Sequence, residues 1–344
     1  MNKVLVFPGW QSSDYYKLLY KDLEKVEYST YSGWWFALLT NIRKHKPSVV
    51  HLHWVADYLA LNNSWSIKFI IKLLISFLDL ILVRFFTKTH IVWTIHNMYE
   101  HETKHRKIER LLKVLIGKLS RDVIVMGKSG IRLVHEEFKI SKSKINVILH
   151  GTFEELYPKV QQTKVELRES LNISKTRTVF VITGAVKKYK GVENAVKAFK
   201  DLNKSNTHLI VAGKFENGLK YLRNINQSNI TFIDKFLSEL ELVQYYKACD
   251  WVITPYYDIF TSGTIPCAIG NRRPVIAPSI GLIPDYISNE TGILYSPNNI
   301  QSLQLAIDKS LQKDANKFGN YSAQFIDELN WNLIREKIKL LLYK

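Results

Sequence analysis

The sequence predicts an α/β protein with two doubly wound parallel sheets, one in each of two domains that face a central cleft. At 344 residues the chain exceeds the roughly 250–300 residues at which a single core stops growing. Short apolar runs alternate with helix-length segments, which is the pattern of parallel βαβ units. A polar stretch from Gly151 to about Thr176, containing Pro158, separates two such series and predicts the connection between the domains.

Each half of the chain contains its own series of short, apolar runs that predict strands. In the first half these are Val4–Phe7, Val49–His53, Ile91–Ile95, Val123–Val125 and Ile145–Leu149. In the second half they are Thr178–Thr183, Leu209–Ala212, Ile230–Ile233, Trp251–Thr254, Val275–Ala277 and Gly292–Tyr295. The pattern predicts a first domain at 1–155, a second at 156–325, and a final helix at 326–344 that packs back across the domain junction. A single helical pattern over Phe325–Leu342 carries this last prediction.

The formal charge of +17 indicates an anionic partner, which could be nucleic acid, a membrane surface or an anionic substrate. Residues 1–150 hold 23 Lys and Arg against 12 Asp and Glu, so most of the excess lies in the first half. Cys249 and Cys267 have no metal-ligand spacing, which favours a reducing cytoplasm. The N-terminus enters a strand at once and lacks the features of a signal peptide, so we expect no export.

The segment Ser66–Phe86 is apolar enough to suggest a membrane-spanning helix of about 20 residues. Lys68, Lys72, Asp79 and Arg84 interrupt it, and each central charge would cost about 2.5–3.5 kcal/mol on insertion. Spanning is therefore disfavoured. Two interpretations stay open: a helix packed on the first sheet, or one that also lies in a membrane interface.

A lysine-rich turn follows the first strand of the second half. The sequence TGAVKKYKG, Thr183–Gly191, places Gly184, Lys187 and Lys190 between that strand and the helical pattern VENAVKAF. Free backbone N–H groups at a helix start, together with lysines, are suited to bind a diphosphate. A solvated turn without a ligand is the alternative.

A second candidate anion site follows the strand Trp251–Thr254. It consists of Thr261, Ser262, Gly263 and Thr264, where the next helix is expected to begin. These residues can simply cap that helix, or their hydroxyl and backbone groups can bind phosphate oxygens.

The first domain supplies candidates at the carboxyl ends of its strands, where ligands of open α/β sheets bind. His96 and Asn97 follow the strand Ile91–Ile95, and His101 lies shortly after them. Gly9 and Trp10 follow the first strand. His51 and His53 alternate along one strand, so both are expected on one face, and at least one of them in the core. The chain has neither the HExxH and clustered-cysteine patterns of metal sites nor a GxSxG elbow, so we expect no metal and no cofactor.

Several segments together resemble the retaining glycosyltransferases of family 4, which have the GT-B fold of two facing Rossmann-like domains. They span essentially the whole chain in order: TIHNMYEHE, ILHGTFEELYP, TGAVKKYKGVENAVKAF, CDWVITPYY, TSGTIPCAIGNRRPVIAP, GLIPDYI and NETGILY. The resemblance implies a nucleotide-sugar donor on the second domain and an acceptor on the first. It also implies that His96 lies near the transferred sugar, that Lys190 binds the diphosphate and that Gly9 approaches the diphosphate or the acceptor.

The chain departs from the family pattern at two places. Ala185 stands where the usual arginine follows the first glycine, and Lys187 takes the position that a related subgroup gives to arginine. Ile259 and Cys267 stand where many members carry two glutamates, so the resemblance is to the subgroup with a TSG motif. There Thr261–Thr264 would hold the diphosphate. Lys214 and Phe236 are candidates for the nucleobase.

The resemblance implies a cytoplasmic enzyme, peripheral on the inner face of the membrane. It would transfer a sugar to a lipid-linked precursor of an exopolysaccharide or capsule. One alternative of the same fold is a nucleotide-sugar epimerase, which would need carboxylates around the sugar. Another is a non-catalytic basic protein that binds membrane or nucleic acid, although zinc-finger and RRM signatures are absent and we expect no nucleic-acid partner.

Overall fold

The computed structural model describes residues 3–29, 36–55, 58, 67–101, 103, 105–202 and 204–344, without the side chains of 322–324. The chain divides into two compact units. The first domain comprises Met1–His150 together with Trp331–Lys344, and the second comprises Gly151–Asn330.

The first domain is a parallel sheet with helices packed on it. Its described strands are β1 (Val4–Phe7), β2 (Val26–Tyr28), β3 (Val49–Leu52), β4 (His90–Thr94), β5 (Asp122–Val125) and β6 (Ile145–Val147). Its described helices are α1 (Asp14–Leu19), α2 (Ala37–His45), α3 (Ile67–Phe86), α4 (Arg106–Leu119), α5 (Ser129–Phe138) and, at the end of the chain, α12 (Trp331–Leu342). The strand order is β2-β1-β3-β4-β5-β6, so the direction of the winding reverses between β1 and β3.

The second domain repeats the parallel arrangement with a different strand order. Its described strands are β7 (Thr178–Thr183), β8 (Thr207–Ala212), β9 (Ile230–Ile233), β10 (Trp251–Ile253), β11 (Val275–Pro278) and β12 (Gly292–Tyr295). Its described helices are α6 (Lys164–Ser170), α7 (Val192–Leu202), α8 (Glu239–Ala248), α9 (Thr264–Gly270), α10 (Ile300–Leu311) and α11 (Ala315–Ile326). The order β12-β11-β10-β7-β8-β9 reverses between β7 and β10, and ligands of such sheets bind beyond the strand ends at this point.

The prediction of two doubly wound parallel sheets is confirmed, and the predicted strands all lie within two residues of the observed ones. One strand was missed. The edge strand β2 is three half-buried residues with Glu27 in the middle, so it lacks the apolar run that marks the other strands. It pairs only with β1.

Two predictions are corrected, one about the connection between the domains and one about the final helix. The polar stretch after Gly151 contains α6, which begins with a capping box in which Thr163 and Glu166 pair with each other's backbone N–H groups. The final helical pattern is not one helix, because α11 ends at Ile326 and α12 begins only at Trp331. The helix α12 packs on the first domain, where Arg335 pairs with Asp22 at 2.7 Å and donates to the Leu18 carbonyl.

The apolar segment at 66–86 forms α3, and Ser66 lies outside the described residues. The carboxylate of Asp79 is buried and accepts hydrogen bonds from the backbone N–H groups of Leu38 and Leu39, at 2.8 and 2.9 Å, and from the hydroxyl of Tyr58. It thereby caps α2, whose own N-cap residue, Phe36, supplies no side-chain bond. Among the described residues, no helix meets the length and apolarity needed to cross a bilayer.

Candidate active site

The lysine turn of the second domain lies at the carboxyl end of β7, where the winding of the sheet reverses. Gly184 has a positive φ of 88°, and Lys190 Nζ lies 3.1 Å from the position that a Cβ on Gly184 would take. The lysine side chain therefore folds back over the glycine. Lys188–Lys190 form a 3₁₀ turn that ends at Gly191, directly before α7. Lys190 is half-buried, whereas Lys187 and Lys188 are exposed.

The segment after β10 packs directly against this turn. The backbone N–H of Tyr257 donates to the carbonyl of Tyr189 at 2.9 Å, and Gly191 lies against the carbonyl of Pro255. The fold thus joins the lysine turn to the segment that leads into the second candidate anion site, about seventy residues further along the chain.

The helix α9 begins at Thr264, as predicted, and Gly263 is its N-cap residue. Since glycine has no side chain, the N-cap supplies no acceptor to the first N–H groups of this helix. The hydroxyl of Tyr256 lies 2.9 Å from Ser262 Oγ and 3.2 Å from Thr264 Oγ1. Three hydroxyl groups therefore meet at the helix start. Two of their three protons are used within the cluster, since Tyr256 donates to Thr264 and accepts from Ser262, and the hydroxyl proton of Thr264 remains to donate to an anion.

Gly191 offers a direct test of this junction. Its φ is 65°, and a Cβ there would overlap the Pro255 carbonyl oxygen. We expect Gly191→Ala to lower the free energy of unfolding by about 2–4 kcal/mol, from overlap and backbone strain together. Denaturant unfolding followed by circular dichroism measures it.

Gly218→Ala is the matched control, because no atom lies within 4 Å of a Cβ at Gly218. It is expected to change the free energy of unfolding by less than about 1 kcal/mol. Equal unfolding midpoints for the two variants would contradict the close packing of the two segments.

The two residues predicted to contact the nucleobase, Lys214 and Phe236, follow the next two strands of the sheet, β8 and β9. Lys214 follows β8, and its carbonyl accepts a hydrogen bond from Val186 in the lysine turn at 2.8 Å. Its ammonium is 3.5 Å from Asp234, which Arg223 also contacts. Phe236 follows β9 and is 88% exposed. The structure thus joins Lys214 to the lysine turn, while Phe236 stands two strands away from β7.

Sequence reasoning missed four residues that build this site: Tyr189, Tyr256, Tyr257 and Thr254. Thr254 is buried, and the described residues provide no hydrogen-bond partner for its hydroxyl. The signal was present in the sequence TPYY, where a hydroxyl residue and two tyrosines directly follow the strand β10.

In the first domain, His96 lies two residues after the end of β4. Its side chain is buried against aromatic rings. Its imidazole stacks on the indole of Trp54, with ring centres 3.9 Å apart and planes 15° apart. Trp10 stacks in turn on Trp54 at 5.1 Å, so this predicted residue belongs to the same cluster. Tyr15 contacts the edge of His96 and also packs against His150.

A chain of hydrogen bonds runs from His96 into the core. His96 Nε2 is 2.9 Å from His53 Nδ1, and the hydroxyl of Tyr20 lies 2.6 Å from both His53 Nε2 and His51 Nδ1. His51 Nε2 reaches Thr94 Oγ1 at 2.8 Å. We call His96, His53, Tyr20, His51 and Thr94 the histidine chain. The prediction that His51 and His53 share a face is confirmed, since both are buried with ring centres 4.2 Å apart.

Burial keeps the three histidines of the histidine chain, His51, His53 and His96, uncharged. It lowers the pKa of His51 to about 3. It also lowers the pKa of His53 and of His96 well below the usual value, with smaller contributions from neighbouring histidines, His150 foremost in the case of His96. Each hydrogen bond then needs one donor and one acceptor, so the nitrogen of His96 that carries the proton is coupled to the direction in which the whole histidine chain donates.

Asn97, His101 and Gly9 have different surroundings. The carbonyl of Asn97 accepts a hydrogen bond from Lys113, which is buried and paired with Glu109 at 2.7 Å. This pair holds the loop after His96, and His101 lies half-buried further along it. A Cβ on Gly9 would lie 2.5 Å from the Ser29 nitrogen, so close packing on the chain after β2 already requires a glycine there.

Comparison with known proteins finds a family model that matches the second domain. Residues 163–325 match the family model described as glycosyl transferases group 1. A GDP-mannose:glycolipid 4-beta-D-mannosyltransferase from Xanthomonas campestris pv. campestris is 25% identical over 236 residues. That match covers 67% of this chain and 61% of the relative, so the chain spans less than two thirds of the relative's length.

Solved structures share the fold over the whole chain. Anabaena Alr3699/HepE, solved in complex with UDP, has a TM-score of 0.76 at 14% identity, and all of both chains is covered. A glycosyltransferase from Rickettsia africae ESF-5 has a TM-score of 0.71 at 18% identity, covering 99% of this chain and 98% of that one. The family match covers most of the second domain, and the two parallel sheets together with these solved structures show that the chain has the GT-B fold.

Proposed function

We propose that this protein transfers a sugar from a nucleotide-diphosphate donor to a hydroxyl of a lipid-linked precursor of a cell-surface glycan, such as an exopolysaccharide or capsule. The observation that carries the proposal is the junction of the lysine turn with the Tyr256–Thr264 segment where the second sheet reverses its winding. The UDP and UDP-glucose complexes of Alr3699/HepE and the glycolipid acceptor in the name of the Xanthomonas relative support it.

The second domain would bind the donor. Lys190 and Lys187 would supply positive charge to the diphosphate, and Ser262, Thr264 and the N–H groups at the start of α9 would supply hydrogen bonds. These groups stabilise negative charge as the nucleoside diphosphate leaves. Lys214 and Phe236 would contact the nucleobase, and the reaction would use no metal.

The first domain would bind the acceptor and contribute His96. With retention of the anomeric configuration, the departing phosphate accepts the proton of the acceptor hydroxyl, and neutral His96 orients the sugar through one hydrogen bond. One alternative is transfer with inversion, in which the neutral imidazole of His96 takes the proton of the acceptor hydroxyl; its lowered pKa makes it a weak base for this step. The configuration of the product distinguishes the two.

We further propose that the protein works in the cytoplasm, attached to the inner face of the membrane through α3. One face of this helix packs in the domain through residues such as Phe69, Leu80 and Val83. A second face presents an exposed apolar stripe at helical spacing, formed by Ile67, Ile71, Leu74, Leu78 and Phe85. Lys68, Lys72 and Arg84 lie beside it. Apolar area flanked by cations is typical of helices that lie in an anionic membrane surface.

Incubating the protein with UDP, GDP and ADP sugars, without acceptor, tests the donor assignment. We expect slow release of one nucleoside diphosphate, because water replaces the acceptor at a low rate, and stabilisation of the protein against heat by that same nucleotide. With a glycolipid acceptor, nuclear magnetic resonance of the product reports its anomeric configuration. Absence of release and of stabilisation with all donors would refute the proposed function, and a product anomer opposite to that of the donor would replace retention by inversion.

A further inference from the structure

A cavity of about 340 Å³ lies in the first domain at the edge of the sheet where β4 and β5 begin. Basic side chains, backbone and short polar side chains line it. Its charged or titratable lining residues are Arg84, Lys88, His90, Arg121 and Lys144. Residues from four separate segments of the chain therefore form one basic pocket.

The pocket holds more positive charge than its surroundings neutralise. Lys144 is fixed in place, because its ammonium donates to the carbonyls of Lys118 and Ser120 at 2.9 and 2.8 Å. Arg121 is paired with Asp122 at 2.6 Å. Within the described ranges, no carboxylate lies within ion-pair distance of Arg84, Lys88 or Lys144. Burial, and then the charge of Arg84, lower the pKa of Lys144, so like charges are crowded here. An anion in the pocket would relieve this repulsion.

The pocket is distinct from the candidate active site. His90, which lines it, is the first residue of β4, whereas His96 follows the end of the same strand. At about 3.3 Å per residue, the two lie some 16–20 Å apart along the sheet. An anion held here is therefore not the diphosphate of the donor.

The pocket opens beside the apolar stripe of α3. Arg84 belongs to the last turn of this helix, and the two residues that follow it, Phe85 and Phe86, are 68% and 78% exposed. Exposed aromatic rings next to cations favour the boundary between lipid head groups and acyl chains, and a soluble anion would not account for the rings.

We propose that this pocket binds the phosphate of an anionic phospholipid head group while Phe85 and Phe86 enter the membrane interface. Arg84 and Lys144 contact the phosphate, with Lys88 and Arg121 at the rim. The inference rests on the proposed membrane attachment through α3 and adds to it a specific head-group site.

Vesicle flotation tests it, using phosphatidylcholine vesicles and vesicles with equal amounts of phosphatidylcholine and phosphatidic acid. The double variant Arg84→Gln/Lys144→Gln is compared with Lys107→Gln/Lys128→Gln, which removes the same charge at two exposed positions of the first domain outside the pocket. We expect the pocket variant to lose about tenfold more affinity for phosphatidic acid vesicles than the control variant does, with binding to phosphatidylcholine unchanged. Unfolding midpoints establish that both variants are folded.

The other outcomes are equally informative. Equal losses in the two double variants would overturn the pocket and leave only a general surface attraction. Binding of inorganic phosphate that the pocket variant loses, together with equal losses of vesicle affinity in the two double variants, would assign the pocket to a soluble anion instead of a lipid. If the wild-type protein binds neither vesicle, membrane attachment itself fails, whereas the release of nucleotide from donors tests the enzymatic proposal separately.

Discussion

Replacing Lys190 by alanine is expected to lower kcat/KM by about 10²–10³-fold, because the proposed donor site would lose the cation assigned to the leaving diphosphate. The structure singles out this lysine, since its ammonium folds back over Gly184 at the point where the second sheet reverses its winding. Initial rates of nucleotide release at several donor concentrations measure the effect, and calorimetry with the nucleoside diphosphate measures the loss of affinity.

Lys188→Ala is the control for this prediction. Lys188 lies in the same turn and is exposed, and its contact with the Glu216 carboxylate uses the backbone N–H, which alanine retains. We expect a change of no more than about threefold from the lost surface charge. A Lys190→Ala enzyme with full turnover and full donor affinity would remove Lys190 from the site.

Replacing His96 by alanine is expected to lower kcat by at least about 10²-fold, because in the proposed mechanism the sugar loses a buried hydrogen-bonding partner. The substitution also leaves His53 Nδ1 without its partner and opens space beside Trp54. Single-turnover rates at saturating donor separate this effect on chemistry from any effect on donor binding.

The lowered pKa of His96 gives this prediction a pH dependence. Because the proposed mechanism uses the neutral imidazole, the rate should stay constant as pH falls from about 8 to about 6, a range over which an ordinary histidine becomes mostly protonated. The unfolded chain takes up protons on these histidines near pH 6.5, whereas the folded domain does not, so stability should decrease as pH falls below that value. A rate that halves near pH 6.5 while the protein remains folded would contradict a neutral His96.

His208→Ala is the matched control for His96→Ala. His208 is likewise buried, and burial lowers its pKa to about 4, but it pairs with Thr231 in the second domain, away from the candidate residues. We expect its replacement to reduce stability and leave kcat unchanged. Equal losses of kcat in the two variants would mean that His96 acts only through the stability of the fold.

The fold was readable from the sequence because its parallel strands are buried on both faces. Such strands are continuous apolar runs, as in Thr178–Thr183, whose predicted and observed bounds coincide. The strand β2 was not predicted because this edge strand consists of three half-buried residues and does not form a continuous apolar run. The break between α11 and α12 was missed because apolar residues occur at short intervals on both sides of it, although Trp331 belongs to the other domain.

Only part of the candidate site could be predicted from the sequence. A local motif indicates where a residue lies along the chain, but not which distant residues it contacts. The sequence placed Lys190 and Thr264 at two helix entrances, and α9 begins where expected. It gave no sign that Tyr189 and Tyr257 join those segments, or that Tyr20 of the loop after α1 would link His51 to His53. These contacts depend on strand order, which the alternation of apolar runs leaves open.

The buried carboxylate of Asp79 limits how α3 could use a bilayer. For the helix to sink into the hydrocarbon, Asp79 would have to release the N–H groups of Leu38 and Leu39 and enter lipid, at a cost of about 2.5–3.5 kcal/mol for the carboxylate alone. In the proposed attachment, the helix would therefore stay tethered to its domain and reach only the upper layer of a leaflet. Such attachment would be reversible, so the protein could leave one lipid acceptor and bind beside another without unfolding any part of its first domain.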